Sequence, residues 1–191
     1  MQSPETRLSI SDLVEEHYEL LHRFAYRLSG SSADAEDLVQ QAFLTAQTKL
    51  EQLRNPEKAR SWLFTIVHNT FRKQLRRHNP TVFSTLKTEP EPEVDSEVEA
   101  IADADALQTA LNELSEEYRT PLILFYFEDF SYKQIAEMLE IPIGTVMSRL
   151  SRGKAHLRER MAPAMEATPH ADGEERRTAT VTDSTVEGTT T

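Results

Sequence analysis

The 191-residue chain contains no cysteine. That absence excludes a disulfide framework, a Cys-based zinc site and a thiol redox sensor within the chain itself. No run of eighteen apolar residues occurs, so no membrane-spanning helix is expected. The N-terminus, MQSPETRLSISDL, lacks the basic-then-apolar layout of a secretory signal, which makes a soluble, cytoplasmic protein the default expectation. Five glycines and few alternating apolar–polar stretches argue against a sheet, so the expected fold class is all-α. The six histidines show no H-E-x-x-H pairing, and neither a P-loop nor a G-x-S-x-G is present. No catalytic residue, metal or cofactor is therefore expected, and an enzyme is the least favoured class.

What is present is charge, unevenly spread. The net charge of −11 argues at first against a nucleic-acid binder. Its distribution removes the objection: +1 over residues 1–77, −7 over 78–108, −1 over 109–162 and −4 over 163–191. Two near-neutral blocks with helical periodicity alternate with two acidic, low-hydrophobicity segments. Each block can carry a local basic patch.

The most informative stretch is Ser131–Arg160, which holds two short amphipathic helices and a tight turn. Ser131 followed by Gln134 has capping-box spacing and predicts a helix from Tyr132. Ile135, Ala136 and Leu139 form its inner face. Ile141–Gly144 ends it, and Pro142 suits the first turn of a second helix. Val146, Leu150 and Leu157 continue the apolar stripe. Thr145, Ser148, Arg149, Ser151, Arg152 and Lys154 are expected on the outer face. A helix, a turn and a polar-basic second helix make a helix-turn-helix, whose second helix enters a major groove.

The first block contains three helical patterns. One runs through Leu13, His17, Leu20, Leu21, Phe24, Ala25 and Leu28 and breaks at Ser29–Ser32. A second opens on ADAED, acidic residues suited to a helix N-terminus, and continues through Leu50. A third begins near Ala59 and turns Trp62, Leu63, Ile66, Val67 and Phe71 inward. Its opposite face carries Asn69, Arg72, Lys73, Arg76 and Arg77, with no acidic residue between Lys58 and Glu89. Most charged stripes are merely solvated faces; this one is unusual in having a single sign. His68 and His156 are expected at the helix surface, and Trp62 in the core.

Residues 78–105 are rich in Pro, Glu and Asp and are expected to be a flexible linker. Counted as 79–107, the linker reaches roughly 100 Å at full extension, against about 34–70 Å for two duplex sites one or two turns apart. The second block, residues 106–162, begins with Leu107, Ala110, Leu111 and Leu114. Ser115 caps the next helix, which Pro121 should kink. Residues 163–191 are expected to be a disordered Thr-rich tail.

At this point the residues resemble a known family. DAEDLVQQAFLTA (34–46), RSWLFTIVHNTFRKQLRR (60–77) and the stretch 111–159 are similar to regions 2.2, 2.3–2.4 and 4 of extracytoplasmic-function (group IV) RNA polymerase sigma factors of the sigma-70 family. The likeness covers about Leu8–Arg77 and Ala106–Met161. It implies a promoter-specificity subunit with two helical domains, region 2 (1–77) and region 4 (106–162), and no catalysis of its own. It implies core RNA polymerase as partner, through the β′ clamp and β flap, together with promoter DNA and, in many members, an anti-sigma factor. Asp34, Glu36, Asp37, Gln40 and Phe43 would face the β′ coiled coil. Asn69, Arg72, Lys73, Arg76 and Arg77 would face the melted −10 element, with Arg54, Asn55, Lys58 and Ser61 in the loop that holds a flipped base. The outer face of the last helix, Thr145 to Lys154, would read the −35 duplex. Two positions depart from the pattern. Met147 stands where the family usually has a basic residue. Gly153 lies inside the recognition helix, where it costs about 1 kcal/mol relative to Ala. An ordinary helix-turn-helix regulator would explain 131–160, but not the Asn69–Arg77 stripe or the Asp34–Asp37 face.

Overall fold

The computed structural model describes residues 8–78 and 104–166. The expected tail from residue 167 onward and the linker between 79 and 103 lie outside these described residues. Seven helices and two short 3₁₀ turns occur among the described residues, with no strand. The all-α expectation holds.

Helix α1 (Ile10–Ser29) is fixed at both ends by its sequence. At the start, the Asp12 N–H donates to Ser9 Oγ at 3.2 Å and Asp12 Oδ2 accepts from the Ser9 N–H at 3.0 Å. This capping box satisfies two otherwise orphaned donors. At the end, Gly30 adopts φ +74° and its N–H donates to Tyr26 O. Helix α2 (Ser32–Lys49) is capped by Ser31 and buries Ala35, Leu38, Val39, Ala42 and Ala46. Three alanines on that face let α2 lie close along α1. Two 3₁₀ turns, Leu50–Gln52 and Pro56–Lys58, lead to α3 (Ala59–His78). Leu63, Phe64 and Val67 of α3 are fully buried against α1 and α2, while Trp62 is only half-buried at the margin.

The second domain is built from α4 (Ala104–Glu113), α5 (Glu116–Tyr126), α6 (Tyr132–Leu139) and α7 (Ile143–Glu166). Two boundaries differ from expectation. Helix α4 starts at Ala104, and α7 continues through Glu166, past the expected domain end at 162. The predicted capping box is present: Gln134 N–H donates to Ser131 Oγ and Gln134 Oε1 accepts from the Ser131 N–H. The turn after α6 differs in detail. Gly144, expected in the stretch that ends α6, lies in the first turn of α7 with open space beside its Cα, and the left-handed residue of the turn is Glu140, at φ +56°. A non-glycine residue there stores roughly 1–2 kcal/mol of backbone strain.

Gly153 has a packing reason. A Cβ there would sit 2.8 Å from Leu122 Cδ1 and 3.3 Å from Tyr118 Cβ, so the glycine is what lets α7 close on α5. The two domains are also in contact. Helix α1 packs against α4 and α5, and α3 against α6. Phe64 of α3 meets Phe130 edge-on at 5.1 Å, which joins the two cores.

Candidate nucleic-acid interface

Three sets of side chains were expected to carry binding, and each occupies a distinct face. On α3, Asn69, Arg72, Lys73, Arg76 and Arg77 line one open recess. Helical spacing alone brings them together, since i, i+3, i+4, i+7 and i+8 share a face. Asn69, Lys73, Arg76 and Arg77 are exposed, and Arg72 is half-buried. Arg54, Asn55 and Lys58 are exposed on the preceding loop, and Ser61 is half-buried, donating to Lys58 O at 3.1 Å. Asn55 has a structural duty: its Oδ1 accepts from the Glu57 N–H at 2.9 Å and starts the second 3₁₀ turn. The recess is a wall of cations beside an amide, suited to phosphates and to unpaired base edges.

His68 is a correction. It was expected at the surface, but it is 3 % exposed. It follows Phe64 by one helical turn and precedes Phe71 by three residues, so it falls on the inner face. Its Nε2 lies 2.7 Å from Glu116 Oε1 of α5. The Arg72 Nε lies 3.9 Å from the same oxygen. Burial pushes the Glu116 carboxyl up, but the His68 hydrogen bond and the charges of His68, Arg72 and Arg149 outweigh it and hold the group below 4.5. An ionised carboxylate only accepts, so His68 donates from Nε2.

On α7, Thr145, Ser148, Arg149, Ser151 and Arg152 are half-buried and share the outer side. Lys154 does not join them. It is 8 % exposed, because it stands four residues after Leu150 and three before Leu157, both core residues. Its long apolar stem tolerates that position. Met147 remains 41 % exposed on the outer side. Arg149 Nη2 lies 3.6 Å from Glu117 Oε2, next to Glu116 in sequence.

On α2, Asp34, Glu36, Asp37 and Gln40 are exposed and Phe43 is half-buried. Glu36, Asp37, Gln40 and Phe43 line an open groove together with Ile10, Val14 and Tyr18 of α1; Asp34 stands outside it. Tyr18 and Leu44 leave 42 % and 58 % of their surface exposed there. Sequence reading missed both. The signal was available as a second stripe, Ile10, Val14 and Tyr18, four residues apart and beside the core stripe.

Among the described residues, no group of three or more acidic or histidine side chains is placed to hold a metal ion. No described helix is long and apolar enough to cross a membrane.

Comparison with known proteins follows the same two blocks. Residues 13–81 match the family model Sigma-70 region 2, and residues 104–157 match Sigma-70, region 4. The chain is 35% identical over 161 residues to the ECF RNA polymerase sigma factor SigE of Mycolicibacterium smegmatis, covering 81% of this chain and 62% of that protein. It is 37% identical over 142 residues to the ECF RNA polymerase sigma factor SigL of Mycobacterium tuberculosis, covering 72% of this chain and 80% of that one. Among solved structures it is similar to the sigma factor RpoE of Bartonella quintana in complex with the anti-sigma factor NepR. That match has a TM-score of 0.65 and 30% identity, and covers 80% of this chain and 96% of that one.

Proposed function

We propose, on the premise that the chain belongs to the extracytoplasmic-function RNA polymerase sigma factors of the sigma-70 family, that its three faces divide promoter recognition between them. The single-signed recess on α3, with the loop at Arg54–Ser61, holds the −10 element after melting. Amide and guanidinium groups suit unpaired bases and their phosphates, and a melted base costs little to hold once unstacked. The outer face of α7 reads the −35 element as duplex, with Arg149 and Arg152 the residues able to address guanine edges or phosphates. The acidic and apolar groove between α1 and α2 docks on the β′ clamp of core polymerase, and the second domain on the β flap. The recess on α3 carries this reading most, because an ordinary helix-turn-helix regulator has no use for it.

No reacting group is required of such a subunit; the polymerase supplies the chemistry. The compartment is the one that holds polymerase and promoter, the cytoplasm. An anti-sigma factor belongs among its partners, as the Bartonella quintana sigma factor is held by one. The β′ assignment is tested by Leu44→Lys, which places a charge in the exposed apolar part of the groove. It should weaken association with core polymerase about tenfold or more, with helical content unchanged. Wild-type affinity in that variant would remove the groove from the interface.

A further inference from the structure

We propose that Met147, with Ile143 one turn before it, reads thymine methyl groups in the −35 duplex and so sets part of this chain's promoter specificity. The inference deepens the promoter-binding reading of α7 and rests on it.

Large apolar side chains on a helix of a folded domain normally turn inward. On α7, Val146, Leu150, Leu157 and Met161 do so. Ile143 and Met147 do not: they leave 46 % and 41 % of their surface exposed. Residues four apart stand one above the other on a helix face, so the two form one strip. The other residues one turn from Met147 on that face add no charge: Gly144 precedes it and Ser151 follows it. A Cβ at Gly144 would meet nothing within 4 Å, so the space beside the strip is open. A single exposed apolar residue needs no explanation; here two stack at the start of the helix that enters the groove.

A recognition helix makes its base contacts with its N-terminal residues, which presents this strip to base edges. Neither side chain carries a donor, and the thioether is only a weak acceptor. The hydrogen-bonding base atoms would lose water against such a strip without gaining a partner. The thymine methyl is the one apolar group on the major-groove floor, so contact with it buries apolar surface on both sides. The unbranched thioether of Met147 adapts to a projecting methyl. From Ile143 to Met147 the helix rises about 6 Å, close to two base-pair steps of about 3.4 Å, so the two side chains address neighbouring base pairs. Arg149 and Arg152 are left for guanine edges and phosphates.

The test uses the chain assembled with core polymerase, on promoter fragments recovered by run-off transcription from a library. Each thymine of the −35 element is replaced in turn by deoxyuridine, which removes the methyl and keeps every hydrogen-bonding group. With the unaltered chain, one or two of these replacements should weaken promoter binding about fourfold each, the value of one buried methyl group. Met147→Ala should bind the thymine fragment as weakly as the unaltered chain binds the deoxyuridine one, with no further loss on deoxyuridine. Met147→Leu, apolar and of similar volume, should keep the discrimination. Discrimination that survives Met147→Ala, or a −35 element that responds to the loss of no methyl, would overturn the proposal and leave the promoter reading standing. The absence of any start site that depends on the protein would refute that reading, and the proposal with it.

Discussion

Raising the pH should loosen the packing of the two domains against each other through Glu128. This carboxylate is 2 % exposed and faces Arg23 and Arg27 on α1 and Arg60 on α3, with Asp129 beside it. Burial pushes its pKa up to about 7 against the pull of those three arginines, and Asp129 adds to the rise. When the domains separate, the group returns to water and to an ordinary value near 4.5. With the domains packed together the group therefore holds a proton that it releases when they separate. Its contribution is complete below 4.5 and is lost as the pH climbs through about 7. Two-state linkage then gives about a tenfold fall in the ratio of packed to separated domains between about pH 6 and about pH 8, roughly 1.4 kcal/mol. Glu116 works in a different window. Its pKa is held below 4.5, so its contribution is lost only as the pH falls into the acid range. The assay is the distance distribution across that pH range between spin labels at Gln41→Cys on α2 and Glu159→Cys on α7, both exposed in a chain without native cysteine. Glu128→Gln carries no charge at either end and should abolish most of the pH dependence while keeping the short distance at high pH. A flat profile in the unaltered chain would refute the reasoning, as would an equally steep one in the Gln variant.

Three further substitutions separate competing effects. Gly153→Ala gains about 1 kcal/mol of helix propensity but forces a methyl into the buried Leu122, a clash worth about 1–3 kcal/mol, so thermal melting should show net destabilisation. Glu140→Gly relieves left-handed strain at the exposed turn before α7 and should stabilise the chain by about 0.5–1 kcal/mol; a lower melting temperature would contradict the strain assignment. Arg152→Ala should cost about 1–3 kcal/mol at one −35 position if the guanidinium reads a base, and a sequence-independent loss if it holds a phosphate. Unchanged promoter selection and affinity would take Arg152 out of the interface.

Much of this architecture is legible before folding. The apolar stripes of α1 and α7 and the Ser131–Gln134 capping box depend only on neighbours within a turn or two. The α3 recess is equally local, since five residues on one helix face need no tertiary contact to converge. What escaped the sequence depends on distant partners. Lys154 and His68 are the exception: they look like surface residues by type, but the phase of their helices, a local signal, turns both inward. Gly153 reads as a propensity cost until Leu122 of another helix is set against it. Glu116 and Glu117 read as complements to a helix N-terminus. Their charges are also used by His68 and Arg72, and by Arg149. The hydrogen bond from Arg119 to Leu28 O is the extreme case: the two residues lie 91 apart, and nothing in either neighbourhood announces the other.

The most direct test of the central claim is run-off transcription with purified core polymerase from the native source, on a library of promoter fragments, with and without this protein. The account predicts discrete start sites that appear only when the protein is added, sharing a −10 and a −35 sequence at fixed spacing. An identical transcript pattern in both reactions, from a chain that does not co-elute with core polymerase, would contradict it.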